Sequence, residues 1–224
     1  MNLVDVVTLS KKLCPQPIQV KLKYANKENF LGRIVNGYVP GVDDIALLTP
    51  KAANDLCLAQ NELINKFGYG LLVYDAYRPK RAVQDFLQWS KQLPADDDEL
   101  ERKAKHYPHI RKDQLFELGY VMEDSDHCYG NTVDVVLIEL SAGKKLDMGA
   151  RFDYMDELSH ITATAAMIGE EACKNRQILS AAMMKFGFQT YTEEYWHFCH
   201  GGAVGREVRE PMDVEINSEM RDIR

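Results

Sequence analysis

Residues Asn131 to Leu140 read Asn-Thr-Val-Asp-Val-Val-Leu-Ile-Glu-Leu, a β-branched run with the character of a buried strand, and one carboxylate, Asp134, sits inside it. Burying an unpaired carboxylate costs on the order of several kcal/mol or more. The fold must therefore bring Asp134 a hydrogen-bond donor, a cation or a metal. Just upstream, Ser125-Asp126-His127-Cys128-Tyr129-Gly130 carries a histidine and then a glycine that lets the chain turn tightly into the strand. Downstream, Ser141-Ala142-Gly143-Lys144 supplies a turn before Leu146-Asp147-Met148, so the strand is expected to open a hairpin.

Helical periods flank this strand. Thr49 and Pro50 mark a helix start, Ala52, Leu56, Ala59, Leu63 and Phe67 recur at helical spacing, and Gly68 closes the run. Leu71 to Tyr74 follows as a short strand ending in Asp75-Ala76-Tyr77-Arg78-Pro79, where the proline can open a second helix bearing Ala82, Val83, Phe86 and Trp89 and ending before Pro94. A third helix is expected from about Glu170 to Phe186, with Ala172, Ile178, Leu179, Ala182, Met183 and Phe186 inward and Gly187 as its stop. Tyr195-Trp196-His197-Phe198 has strand preference and ends at Gly201-Gly202. The segment from Ala95 to Lys112 is charged and reads as a solvated loop or short helix. With no repeat and no low-complexity linker, residues 1–224 read as a single α+β domain. Its expected centre is a mostly antiparallel sheet with helices packed around it.

The bulk numbers exclude several classes of function. Of 224 residues, 46% are hydrophobic and 27% charged, which is the balance of a globular chain. A net charge of −7 without a basic run repels a phosphate backbone, so no nucleic-acid partner is expected. The five cysteines are odd in number and scattered, fitting reduced thiols and a cytoplasmic address. Neither a signal peptide nor a membrane span is read, and subunit number is left open.

A catalytic zinc needs three His, Asp, Glu or Cys ligands and an open position for water. Of the six histidines, His106 and His109 lie in the charged segment beside Pro108 and read as surface residues. His127 precedes the strand bearing Asp134, and His197 lies in Glu193-Glu194-Tyr195-Trp196-His197. If that run is a strand, Glu194 belongs at its entering bend and His197 on the inward face. One could then bind metal while the other reaches the metal's water as general base. Taken alone, His197 could equally be structural and Asp134 could pair with a base.

The motifs Asp75-Ala76-Tyr77-Arg78-Pro79, Ser125-x-His127-x-x-Gly130-x-x-x-Asp134, the run Met148-Gly149-x-Arg151-Phe152-Asp153-x-Met155-Asp156-Glu157-x-Ser159-His160, and Glu194-x-Trp196-His197-Phe198, in that order, resemble the D-alanyl-D-alanine dipeptidases of the vancomycin-resistance type. These belong to the zinc D,D-peptidases, related to the D,D-carboxypeptidases and the hedgehog signalling domain. The resemblance spans residues 17 to 198, and the tail 198–224 diverges from it. It implies one zinc per chain held by His127, Asp134 and His197, with Glu194 rather than Glu193 as the base. It also implies Arg78 over the scissile carbonyl oxygen, Tyr24 and Asp153 at the substrate's amino group, and Ser125 at its carboxylate. Asp153 could instead cap a helix or pair with Arg151, and His160 reads as structural. Thr132 departs from the family's alanine and adds bulk near the site, whereas Cys128 is expected to point away from it.

The expected activity is zinc-dependent hydrolysis of D-Ala-D-Ala or a similar D,D-dipeptide. Alternatives are a D,D- or L,D-carboxypeptidase on wall peptides and a non-catalytic zinc-stabilised module. A base at Glu194 argues against the last, since a structural zinc is closed by four ligands.

Overall fold

The computed structural model describes residues 3–93, 97–201 and 210–221. Gly202, Ala95, Asp96 and the rest of the tail expected to diverge, apart from residues 198–201 and 210–221, lie outside the described residues. In chain order the elements begin with β1 (Val4–Asp5), α1 (Val6–Leu13), β2 (Gln19–Val20), β3 (Leu47–Leu48), α2 (Pro50–Phe67), β4 (Tyr69–Asp75), α3 (Lys80–Ser90) and α4 (Asp97–His106). They continue with β5 (Thr132–Glu139), β6 (Lys144–Lys145), α5 (Ala165–Ile168), α6 (Glu170–Lys185), β7 (Phe188–Tyr191) and β8 (Glu194–His200).

The main sheet runs β2-β4-β5-β8-β7, with β6 pairing the end of β5. Its pairings are antiparallel except β2 with β4, so the α+β expectation holds and the sheet is mixed at one edge. The expected hairpin after β5 is present as Ile138 opposite Lys145 and Glu139 opposite Lys144, with a returning strand of only two residues. β1 and β3 form a separate two-stranded ladder.

α2 ends where the sequence indicates: Gly68 adopts φ 69° and its N–H returns to the Ile64 carbonyl at 3.0 Å. Thr49 precedes the helix in extended conformation but makes no side-chain cap bond there. α2 and α6 pack against each other, α2 against β4 and α6 against β5 and β8. Leu56, Leu63, Leu71, Val73, Val133, Val135, Leu137, Leu179 and Met183 are fully buried in the resulting core. Side chains alternate along β5, so Asp134 faces the side opposite to Val133 and Val135. On that other face Asp134 lines a cavity walled by the connections at 119–127 and 153–155, by Tyr24 and Phe30 and by Phe86 of α3.

The charged segment differs from its surface reading. It holds α4, and Glu99 and Lys112 are buried against one another as an ion pair. His106, at the end of α4, is half-buried, packs on the ring of Phe30 at 6.4 Å and donates from Nδ1 to the Asp153 carbonyl at 3.0 Å. Local charge hid this, because the contact joins residues 47 apart in the chain. His109 is exposed, as expected, and faces Asp156 at 2.7 Å.

Candidate active site

Three neighbouring strands carry the centre of the site. Asp75 on β4 stands opposite Asp134 on β5, and Asp134 stands opposite His197 on β8. The register shifts between Val73 and Asp75, and this irregularity sets Asp75 level with Asp134. A second irregularity, where Tyr191 pairs Glu194 while Thr190 pairs Phe198, loosens β8 at its start. Glu194 thereby comes to the same cavity as His197, its Oε2 3.6 Å from His197 Nδ1.

His127 arrives from a 3-10 turn, Asp126–Tyr129, closed by Gly130 at φ 70°. A Cβ at Gly130 would come within 2.7 Å of Leu3 Cδ2, so the turn needs glycine for conformation and for space. His127 Nδ1 donates to the Ala76 carbonyl at 2.6 Å, which leaves its Nε2 as an acceptor directed into the site. His127 Nε2 and His197 Nδ1 each lie 3.2 Å from Asp134 Oδ1. Donor atoms of the three residues fall within 4.8 Å of one another. Both His127 Nε2 and Asp134 Oδ1 are buried without a hydrogen-bond partner. Two imidazole nitrogens and one carboxylate, converging with the His127 and Asp134 lone pairs unsatisfied, fit a single zinc that keeps a position open for water. Burial alone would raise Asp134, but His127 and His197 against it hold its carboxyl well below the usual range.

Around this centre lies a small cavity of about 60 Å³. It brings together every residue to which the resemblance gives a place in the site: Tyr24, Arg78, Ser125, His127, Asp134, Asp153, Glu194 and His197. Glu193, the competing base, is not among its lining residues. Burial pushes the Glu194 carboxyl up to about 7, with Asp134 adding to the shift and His197 opposing it. A carboxylate there is poised to exchange a proton near neutral pH.

Arg78 donates from Nε to Asp75 Oδ2 at 2.8 Å, and its other arm reaches to 3.6 Å from Asp134 Oδ2. Asp75 accepts from the Tyr38 hydroxyl at 2.8 Å on its second oxygen. The guanidinium also lies 5.0 Å from the ring centre of Tyr24 and 5.2 Å from that of Phe86. The Tyr24 hydroxyl in turn donates to both oxygens of Asp153, at 3.1 and 3.2 Å. Asp153 adopts φ 56°, the one non-glycine residue with positive φ among the described residues. Its side chain thus takes its hydrogen bond from Tyr24, and no ion pair with Arg151 forms. Burial, then Glu194 and Asp134, push the Asp153 carboxyl well above the usual carboxylate range.

Several participants were not anticipated. Asp75 and Tyr38 hold Arg78, Trp196 and Phe86 line the cavity, and Tyr191 sets its ring 5.4 Å from that of His197. Asp75 had a signal, its place three residues before Arg78 at the end of an apolar strand, and Trp196 stands inside the Glu-x-Trp-His motif; Phe86 reads only as a core residue of its helix, and Tyr191 had no signal. Cys128 is buried in a small cluster with Val83 and Tyr129, does not line the cavity, and has its thiol pushed up to about 11 by burial. Thr132 is fully buried opposite Cys199 with its hydroxyl unpaired. His160 meets the Tyr120 hydroxyl at 2.9 Å, in keeping with a structural part.

The described part of the tail supports this site from behind. The Met212 N–H donates to the Cys128 carbonyl at 2.9 Å, the Lys80 N–H to the Met212 carbonyl at 3.0 Å, and Ile216 is buried beside Tyr38.

Residues 8–215 match the model of the M15 peptidase family described as D-Ala-D-Ala dipeptidase, so the match continues beyond Phe198. A D-alanyl-D-alanine dipeptidase of Enterococcus faecalis is 40% identical over 177 residues, 79% of this chain and 82% of that one. One from Streptomyces coelicolor is 40% identical over 179 residues, with the same shares covered. Another from Escherichia coli is 29% identical over 197 residues, covering 88% of this chain and 83% of its own. With its donor set, its cavity and this extent of similarity, the chain belongs to the D-Ala-D-Ala dipeptidase family of zinc metallopeptidases.

Proposed function

We propose that this enzyme hydrolyses D-Ala-D-Ala or a similar D,D-dipeptide, with one zinc held by His127, Asp134 and His197 and with Glu194 as general base. The observation that carries this reading is the meeting, in one small cavity, of a three-donor cluster, a separate carboxylate, a buried guanidinium and a closed Tyr24–Asp153 wall. Bound there, zinc supplies Lewis-acid chemistry, making a water acidic near neutral pH and polarising the scissile carbonyl.

The chain's own residues do the rest. Glu194, its Oε2 3.6 Å from His197 Nδ1, takes the proton of the attacking water and passes it to the leaving amine. Arg78, fixed by Asp75, offers its remaining N–H groups to the carbonyl oxygen as negative charge develops there. Asp153, unfavourable as a buried anion on its own, becomes the partner of the substrate ammonium, with Tyr24 orienting it. Ser125, ahead of the 3-10 turn, takes the carboxylate end. Trp196, Phe86 and Tyr191 keep bulk water out.

A clamp on a free amino group next to the scissile bond selects dipeptides over longer peptides. We read residues 1–224 as one domain, supported by a main core cluster that runs from Leu3 to Ile216. No helix among the described residues is long and apolar enough to cross a membrane. A cytoplasmic address fits the scattered thiols and a soluble precursor dipeptide as substrate.

The test is to incubate zinc-loaded protein separately with D-Ala-D-Ala, L-Ala-L-Ala and a pentapeptide ending in D-Ala-D-Ala, and to quantify released alanine. Hydrolysis confined to the D,D-dipeptide is expected. Comparable kcat/KM on the pentapeptide would replace this reading with that of a carboxypeptidase.

A further inference from the structure

A second cleft, of about 720 Å³, is bordered by Lys23, Lys27, Arg102, Lys105, Lys145 and Arg151, with only Glu28 and Asp147 as carboxylates. Those two acids are already engaged: Glu28 bonds Lys21 and Lys23, each at 2.9 Å, and Asp147 accepts from the Gly149 N–H at 2.8 Å. Lys27, Lys145 and Arg151 are exposed and have no carboxylate partner among the described residues. In a chain of net charge −7, this cleft is a local reversal of sign.

Its floor differs in character from its rim. Tyr74, Val136, Met148, Phe152 and Tyr195 line it and are buried, and Lys23 Nζ lies 5.1 Å from the centre of the Tyr74 ring. A cleft with an aromatic floor, three exposed cations on its rim that have no carboxylate partner among the described residues, and a volume inside the usual range of small-molecule sites suits an amphipathic anion. The cleft is distinct from the catalytic cavity. Asp153 lines the cavity while its neighbour Phe152 lines the cleft, and His106, also in the cleft wall, is bonded to the Asp153 carbonyl.

We propose that this cleft binds a small diphosphate-bearing anion, with the phosphates held by Lys27, Lys145 and Arg151. Arg151 offers a planar fork of donors that matches phosphate oxygens, and the two lysines add mobile positive charge. In a nucleoside diphosphate the flat base has the aromatic floor to lie on; in inorganic pyrophosphate the rim acts alone. Neither ligand requires a residue of the catalytic cavity, so the site stands or falls independently of the proposed dipeptidase reaction.

The experiment is isothermal titration calorimetry on the full, zinc-loaded chain with ADP, inorganic pyrophosphate and adenosine. ADP and pyrophosphate are expected to bind and adenosine is not, and binding should weaken as salt is raised. Tighter binding of ADP assigns the floor to a base, whereas equal binding assigns the site to diphosphate alone. The triple variant Lys27→Glu, Lys145→Glu, Arg151→Glu should lose affinity at least about tenfold, as expected when several charge-assisted contacts become repulsive. The milder Lys145→Ala, at an exposed position on a two-residue strand, should weaken binding several-fold and guards against misfolding of the triple variant. His197→Ala should leave binding unchanged, which separates the cleft from diphosphate caught at the metal centre. No binding of either phosphate compound, or binding that survives in the charge-reversed variants but is lost in His197→Ala, overturns the proposal.

Discussion

Asp75 and Arg78, three residues apart on either side of the end of β4, form a buried ion pair with Nε to Oδ2 at 2.8 Å. Tyr38 completes the carboxylate and Asp134 stands beside the guanidinium, so the pair links the sheet to the cavity wall. A charge held this way points in one direction before substrate arrives, which is what stabilising a developing oxyanion demands.

Removing either member leaves the other charge buried and unpaired. Asp75→Ala should therefore cost about 3–5 kcal/mol of stability. Asp75→Asn, which keeps the shape and the Tyr38 contact, should lower kcat more than it raises KM, because Arg78 loses its anchor and not its charge. Urea unfolding, and kinetics on D-Ala-D-Ala with zinc measured in the same samples, check both outcomes. An Asp75→Ala protein as stable as wild type would show that the pair is unimportant to the fold.

Legibility in the sequence followed the range of the interaction. α2, α3 and α6 were visible because helical period is local, as are the prolines that open α2 and α3 and the glycines that follow α2 and α6, and Asp134 was conspicuous as a charge in an apolar run. The two-residue strands β1, β2 and β3 have no period to detect. The same limit applied within the site. His127, Asp134, His197 and Glu194 stood out through motif and chemistry, and they meet in space. By contrast, the irregularity that turns Glu194 toward His197, the positive φ of Asp153 and the burial of His106 depend on strands and loops far apart in the chain.

His106 gives a pH dependence of stability. Burial, against the bond to the Asp153 carbonyl, pushes its imidazole down to about 4, below the ordinary value near 6.5. The unfolded chain then binds the proton more readily, so this residue's contribution is present above about pH 6.5 and is lost as pH falls toward about 4. The loss of unfolding free energy between about pH 7 and about pH 5 should be smaller in His106→Gln than in wild type. Equal losses in the two proteins would mean that His106 does not titrate in this window.

The ligand assignment predicts that His127→Ala, Asp134→Ala and His197→Ala each lower zinc content, whereas Cys128→Ser keeps it, since that thiol is turned into an apolar cluster. Elemental analysis of folded, purified variants measures this directly. Full zinc in all three ligand variants would refute the site, and zinc loss in Cys128→Ser would place sulfur among the ligands.

The central claim is that Glu194 is the base for the hydrolytic water and not a ligand. Glu194→Gln keeps the size of the side chain and its capacity to hydrogen-bond, but it removes the group whose carboxyl sits at about 7 beside His197. The deciding measurement is kcat for D-Ala-D-Ala hydrolysis by this variant, with zinc content determined on the same samples. General-base groups contribute about 10²–10⁴-fold, so kcat should fall by that much or more while zinc remains at one per chain. A fully zinc-loaded Glu194→Gln enzyme turning over at near the wild-type rate would contradict the account.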